Sequence, residues 1–183
     1  MTRDWAEGIK GQDKTKIQKE ATEFSQEYLQ DSLHNGTPEL LEHFTNNGFF
    51  TAIISASPTE ALEATLAKFN INLIIGTNVE TIDEIYTGNL NPAMDGKGKG
   101  SIIQTLFETH NLNPLHSFSF GDTEHDAPLL DYNDITGIAL HPNTNLERLA
   151  REKGWPVHHD TEHLLQELKG KPRKTEAIAP ITA

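Results

Sequence analysis

Ser117-Phe118-Ser119-Phe120-Gly121-Asp122-Thr123-Glu124-His125-Asp126-Ala127-Pro128-Leu129-Leu130 is the stretch whose reading decides the fold. Its first residues alternate, with Phe118 and Phe120 on one face, and this predicts a short strand. The strand stops at Gly121, and two carboxylates follow at once, Asp122 and Asp126. A carboxylate where a strand ends and the chain turns lies where open α/β sheets bind their ligands. Hard oxygen donors of this kind suit Mg²⁺, which takes one or two carboxylates together with water and substrate phosphate. The plain alternative for Gly-Asp-Thr is an Asx-turn and a helix cap, so the surrounding chain has to choose between them.

Working outward, strands and helices alternate. Phe49-Phe50-Thr51-Ala52-Ile53-Ile54 is a short apolar run of the kind a buried parallel strand requires. Ser57 and Glu60 read as a capping box, with Pro58 at the first position of a helix running to about residue 69. Asn72-Leu73-Ile74-Ile75-Gly76 is a further strand, and residues 77–95 read as an antiparallel excursion around Tyr86-Thr87-Gly88. A helix after Gly96 points Ile102, Ile103, Leu106 and Phe107 inward. Residues 135–140 make another buried strand, Asn143 caps a helix through Lys153, residues 157–159 form an edge strand, and a last helix covers 160–169. This alternation predicts an α/β fold with a doubly wound parallel sheet over residues 48–169. Residues 1–47, with helical patterns over 12–34 and from Thr37 to about Asn47, read as a helical appendage. Residues 170–183, with two prolines and clustered charge, read as a disordered tail.

Composition removes several functions. Lys and Arg number 15 and Asp and Glu 27, so the formal net charge is 15 − 27 = −12. No basic footprint for nucleic acid exists in that balance, yet an anionic substrate remains compatible, because a bound metal and a placed Lys reverse the potential locally. With no cysteine, thiolate catalysis and disulfides are excluded. The first twenty residues carry no apolar signal-like run, and no stretch approaches the ~18 apolar residues of a membrane helix. A cytoplasmic protein without membrane contact is expected.

The residues then form a constellation. Ser55 follows the Phe50–Ile54 run and Asp122 the Ser117–Phe120 run, so parallel strands would put both on one carboxyl rim. Ser55 also precedes a helix N-terminus, whose free N–H groups favour an anion. Its hydroxyl and the amides of Ala56 and Ser57 would cradle a phosphate. Lys99 opens a helix, where the dipole disfavours a cation, which implies a negative partner elsewhere in the fold; Lys97 is the competing candidate. The Gly-Lys-Gly-Lys-Gly-Ser run lacks the spacing of a P-loop. His159 and His163 stand four apart, a spacing compatible with a transition metal, although exposed histidines on a terminal helix are the commoner arrangement.

Taken together these segments resemble the haloacid dehalogenase superfamily, in its phosphoserine-phosphatase-like branch. Ile53-Ile54-Ser55-Ala56-Ser57-Pro58 is similar to the second motif, Gly96-Lys97-Gly98-Lys99 to the third, and Gly121-Asp122-Thr123-Glu124-His125-Asp126 to the fourth. Residues 143–157, ending Gly154-Trp155-Pro156-Val157, resemble a closing segment in one hydrolase subgroup. The resemblance implies a Mg²⁺-dependent phosphomonoesterase acting on a small phosphorylated metabolite. It implies that Ser55 and Ala56 bind phosphoryl oxygens and that Lys99 neutralises nucleophile and phosphate. Asp122 would ligate Mg²⁺, and Asp126 would act at the metal from the second shell or through water. His125 stands where phosphoserine phosphatases often carry Asn.

One departure is large. Such enzymes attack phosphorus with the first Asp of an Asp-x-Asp-x-Thr motif and use the second as acid and base; no Asp-x-Asp occurs in this sequence. Residues 1–47 resemble the second half of the family's helical cap, and the chain resembles a member missing its first, central strand. Three expectations follow: a phosphatase by family, a non-catalytic remnant that keeps a phosphate or Mg²⁺ site, or a complementing half whose strand and nucleophile come from a second chain. Alone, the chain is expected to be weak or inactive and prone to aggregate through unpaired strand edges.

Overall fold

The computed structural model describes residues 2–29, 33–91 and 96–170; of the tail expected at 170–183, Gly170 closes the last helix and the rest lies outside the described residues. In chain order the elements are α1 (Thr2–Gly8), α2 (Lys14–Phe24), α3 (Thr37–Asn46), β1 (Ala52–Pro58), α4 (Thr59–Leu66), β2 (Leu73–Thr77), β3 (Val79–Ile82), β4 (Ile85–Leu90), α5 (Gly96–His110), β5 (Phe118–Gly121), α6 (Ala127–Leu130), β6 (Thr136–Leu140), α7 (Thr144–Lys153), β7 (Val157–His158) and α8 (Thr161–Gly170). The strand-helix alternation is the α/β architecture with parallel strands that the apolar runs imply.

Three separate hydrogen-bonded sheets result among the described residues: β1 with β2, β3 with β4, and β5-β6-β7 in that order. The first and last are parallel, with Ile53 opposite Ile74 and Phe120 opposite Ile138. β1 and β5 therefore each keep one unpaired edge among the described residues. Helix α5 ties the two parallel sheets together. Its Ile103, Leu106 and Phe107 cluster with Leu129 of α6, and Phe50, Ala52, Ile54 and Leu73 from the β1–β2 side pack on them.

A second cluster joins Leu40 and Phe44 of α3 to Ile138 of β6 and Leu164 and Leu165 of α8, with Phe118 and Phe120 of β5 against it. Burying side chains of this size stabilises by roughly 1.5–3 kcal/mol each. Residues 1–47 thus divide between two environments. α3 packs on the α/β layer, whereas Ala6 and Ile9 pack with Val79 and Tyr86 of the β3–β4 hairpin, supported by Trp5 and Ile17.

Several local details differ from the sequence expectation. The hairpin turns at Asp83–Glu84, both at positive φ (49° and 63°), rather than around Gly88. Two consecutive left-handed residues give the type I′ geometry that matches strand twist. Gln12 and Lys14 hold this tip from outside: Tyr86 N–H donates to the Gln12 carbonyl at 3.0 Å and Lys14 N–H to that of Glu84 at 2.8 Å. The helix expected over 12–34 turns into a π segment at Ser25–Leu29, which buries Ser25 and points its Oγ at Thr65 Oγ1, 3.2 Å away.

The Ser57–Glu60 capping box does not form. β1 runs on to Pro58, which caps α4 without a side-chain bond. Glu60 instead turns inward and accepts from the buried Tyr86 hydroxyl. A tertiary hydrogen bond has displaced a local one, and it pushes the Tyr86 hydroxyl's pKa up through burial first and the carboxylate second.

Candidate active site

Gly121 ends β5, and its lack of a side chain is what lets the next turn fold back. A Cβ there would lie 2.5 Å from Asp126 Cβ. In the space so left, Asp126 Oδ2 accepts from the N–H groups of Asp122 and Thr123, both at 3.1 Å, and from Thr123 Oγ1 at 3.2 Å. Its other oxygen, Oδ1, accepts from Lys99 Nζ. Lys99 and Asp126 are only 7% and 5% exposed. Lys99, unfavourably placed at the start of α5 for the helix dipole, has its negative partner in Asp126.

The two carboxylates respond oppositely. Burial pushes Asp126 up, but the Lys99 ammonium and the amides of Thr123 and Asp122 outweigh it and hold the group below its ordinary value. Asp122 is pushed up, first by desolvation and then by the neighbouring Asp126 charge. Both Asp126 oxygens are engaged by donors, so Asp122 is the carboxylate left facing outward with capacity to bind a cation. A carboxylate oxygen is the kind of donor that Mg²⁺ takes, since the ion needs few protein ligands and keeps its waters.

The Ser55 side of the rim is built differently. The β1–β2 register runs regularly from Ala52 to Ile54 and then shifts before Pro58 pairs with Thr77. Bulges of this kind release backbone groups from the ladder beside functional sites. Within it, Ser55 Oγ accepts from Ser57 N–H at 3.1 Å, leaving its own proton to donate. Thr77 Oγ1 donates to the Ala56 carbonyl at 2.8 Å and fixes the peptide. Ser55 and Ala56 thus sit at the end of one parallel sheet, and Asp122, Asp126 and Lys99 around the end of the other.

Sequence reasoning missed a neighbour of this rim. His141, directly after β6, adopts φ +48°, stacks on His34 at 4.0 Å and lies 2.8 Å by Nε2 from Thr161 Oγ1. Burial first, then the charges of His34 and His159, lower its pKa against Asp160 and Asp122. With Asn35 and Glu162 these residues line a cavity of about 530 Å³. Its only signal was position: a histidine at the carboxyl end of an apolar strand. Glu124 was also passed over. It accepts from Asn143 and Asn145 at 2.8 and 2.9 Å, and these bonds bring its pKa to about 2.

With this geometry in hand, residues 1–131 match the haloacid dehalogenase-like hydrolases. The chain belongs to that family. It is similar to the phosphoserine phosphatase SerB1 of Mycobacterium tuberculosis, at 32% identity over 137 residues covering 74% of this chain and 44% of the relative. The chain therefore spans less than half the length of that relative. A structure of unknown function from Bordetella pertussis Tohama I shares the fold with a TM-score of 0.76 at 20% identity, covering 86% of this chain and 72% of that one. A phospho-aspartyl intermediate analogue of phosphoserine phosphatase aligns with a TM-score of 0.62 at 16% identity, over 90% of this chain and 75% of the other. Among the described residues no helix is long and apolar enough to cross a membrane.

Proposed function

We propose that this chain carries the phosphate-binding, charge-neutralising and metal-binding parts of a Mg²⁺-dependent phosphomonoester hydrolase. The attacking carboxylate arrives, on this reading, on a parallel strand lying between β1 and β5. The observation that supports it most is the buried Lys99–Asp126 pair at the foot of an outward-facing Asp122. An ammonium taken out of water at a helix start is costly unless it serves an anion as well as its partner. One of its three donors is engaged by Asp126, and among the described residues the other two meet no acceptor, which leaves them for a phosphoryl oxygen.

The roles then divide by chemistry. Ser55 donates its hydroxyl proton to the phosphoryl group, with the Ala56 amide beside it. Lys99 offsets the charge that gathers on phosphate and nucleophile. Asp126 positions Lys99 and orders the Asp122–Thr123 amides. Asp122 would hold Mg²⁺, which when bound supplies charge neutralisation at the transferring oxygens. The substrate class is a small phosphorylated metabolite.

The edges of β1 and β5 that stay unpaired among the described residues and the absence of Asp-x-Asp from the 183 residues together motivate the inserted strand. The test is Mg²⁺-dependent hydrolysis of an aryl phosphate by the chain with and without a synthetic apolar strand ending in Asp-x-Asp-x-Thr. Background rates alone, with hydrolysis appearing on addition and lost in Asp122→Asn, support the proposal. Turnover by the chain alone at ordinary enzymatic rates, ~1 s⁻¹ or above, would overturn it. The missing Asp-x-Asp also favours a second reading, a non-catalytic phosphate or Mg²⁺ binder. That reading is met if phosphate binding persists and the strand adds no activity.

A further inference from the structure

Away from the phosphate rim, at the outer edge of the three-stranded sheet, His158 of β7 faces His163 and Glu167 of α8. One ligand atom from each of the three lies within 4.8 Å of the other two. His163 Nδ1 and Glu167 Oε1 are 3.4 Å apart, one helical turn from each other, and the two imidazole centroids are 6.3 Å apart. A tetrahedral ion with bonds of about 2.0–2.1 Å separates its ligand atoms by ~3.3 Å. The helix pair already has that spacing, and a small rotation of side chains brings in the third.

We propose that His158, His163 and Glu167 form a binding site for a borderline transition-metal ion of the Zn²⁺ class. Two imidazoles and a carboxylate suit such an ion, whereas Mg²⁺ and Ca²⁺ take oxygen ligands. The site is not the one suggested by the i, i+4 spacing of His159 and His163. His159 turns the other way, and its Nε2 lies 3.8 Å from Glu147 of α7. A metal here joins β7 to α8, whose Leu164 and Leu165 close the cluster under β5 and β6. It therefore acts as a clamp on the sheet edge. The site stands independently of the phosphatase reading.

The experiment uses the full chain, stripped with a chelator and held in excess Mg²⁺ so that oxygen sites are occupied. Co²⁺ is titrated in and followed by its visible absorption, then displaced by Zn²⁺. One equivalent is expected to bind, with a rise in thermal midpoint. His158→Gln, His163→Gln and Glu167→Gln should each weaken binding by at least the ~10-fold that losing a supporting group around a metal costs. His163 and Glu167 are exposed, so those two substitutions leave the fold intact. His159→Gln should bind like the parent. Absence of saturable binding overturns the proposal, as does binding that survives all three substitutions or that is lost in His159→Gln or Asp122→Asn.

Discussion

β6 and β1 are written in nearly the same alphabet and live in different surroundings. In β6, Gly137, Ile138 and Ala139 are all buried, between β5 on one side and β7 on the other. In β1, Ala52, Ile53, Ile54 and Ser55 are all only half-buried, with β2 the sole neighbouring strand among the described residues. A run of bulky apolar residues that remains half-wet is a strand composed for the middle of a sheet and standing at its edge. The polar site divides the same way. Both oxygens of Asp126 are engaged by donors of this chain, while the Ser55 hydroxyl keeps its proton to give. The lesson is that the Lys99–Asp126 half of the rim is preassembled, whereas the Ser55 half stands on a half-buried strand.

The largest effect should come from breaking the saturated half. Asp126→Ala leaves the Lys99 ammonium buried and unpaired, and a loss of ~3–5 kcal/mol is expected in urea unfolding. If the loss were within ordinary surface scatter, the network would not be the preassembled unit it is taken for. Next come matched truncations in the two strands. Ile138→Ala should cost about 2–5 kcal/mol, as core truncations do, and Ile54→Ala distinctly less, because part of that side chain is already in water. Equal costs would erase the contrast between β6 and β1. Gly121→Ala should follow at roughly 1–3 kcal/mol, since its new Cβ forces Asp126 aside; a raised Asp126 pKa by NMR titration is the accompanying sign. Smaller again, Asn143→Ala removes the α7 cap, in which Asn143 Oδ1 accepts from Leu146 N–H at 2.8 Å, for ~1 kcal/mol.

Acidity sharpens the comparison within the site. Asp126 is lowered in the folded chain, so its contribution is complete above the unfolded carboxylate value of ~3.9 and is lost as pH falls through the lower folded value. Asp122 is raised, so its contribution is present below that unfolded value and disappears as pH rises through the folded one. In metal-free solution Asp122→Asn should therefore gain stability on the parent as pH rises, measured as urea midpoints across the acid range. Mg²⁺ should reverse the order near neutrality by favouring the ionised Asp122.

Much of this was legible because the signals were local. Phe118–Gly121 and its two following carboxylates, the Lys99 position and the Asn143 cap all follow from spacing, turn chemistry and helix electrostatics. Where the reading went astray, a distant partner had won. Glu60 abandoned a capping box for Tyr86, twenty-six residues on; Ser25 took a π turn to reach Thr65; His141 acquired its setting from His34 and Thr161. No periodicity records such partners. Separation of the two parallel sheets was expected only from the resemblance to a family member lacking its central strand, since an apolar run does not say how many neighbours it has.

The hairpin tip at Asp83–Glu84 carries a consequence for engineering. Both residues sit in a backbone region that glycine, asparagine and aspartate occupy more readily than a glutamate does, so Glu84 carries a cost of roughly 1–2 kcal/mol. The bonds from Gln12 and Lys14 keep them there, so the first helices act as a splint on a turn whose own residues resist it. Replacing Asp83-Glu84 with Asn-Gly would make that turn self-sufficient. The hairpin would then become a place where the molecule can be strengthened, and where its dependence on the preceding helices can be dialled down without replacing any residue of the proposed phosphate site.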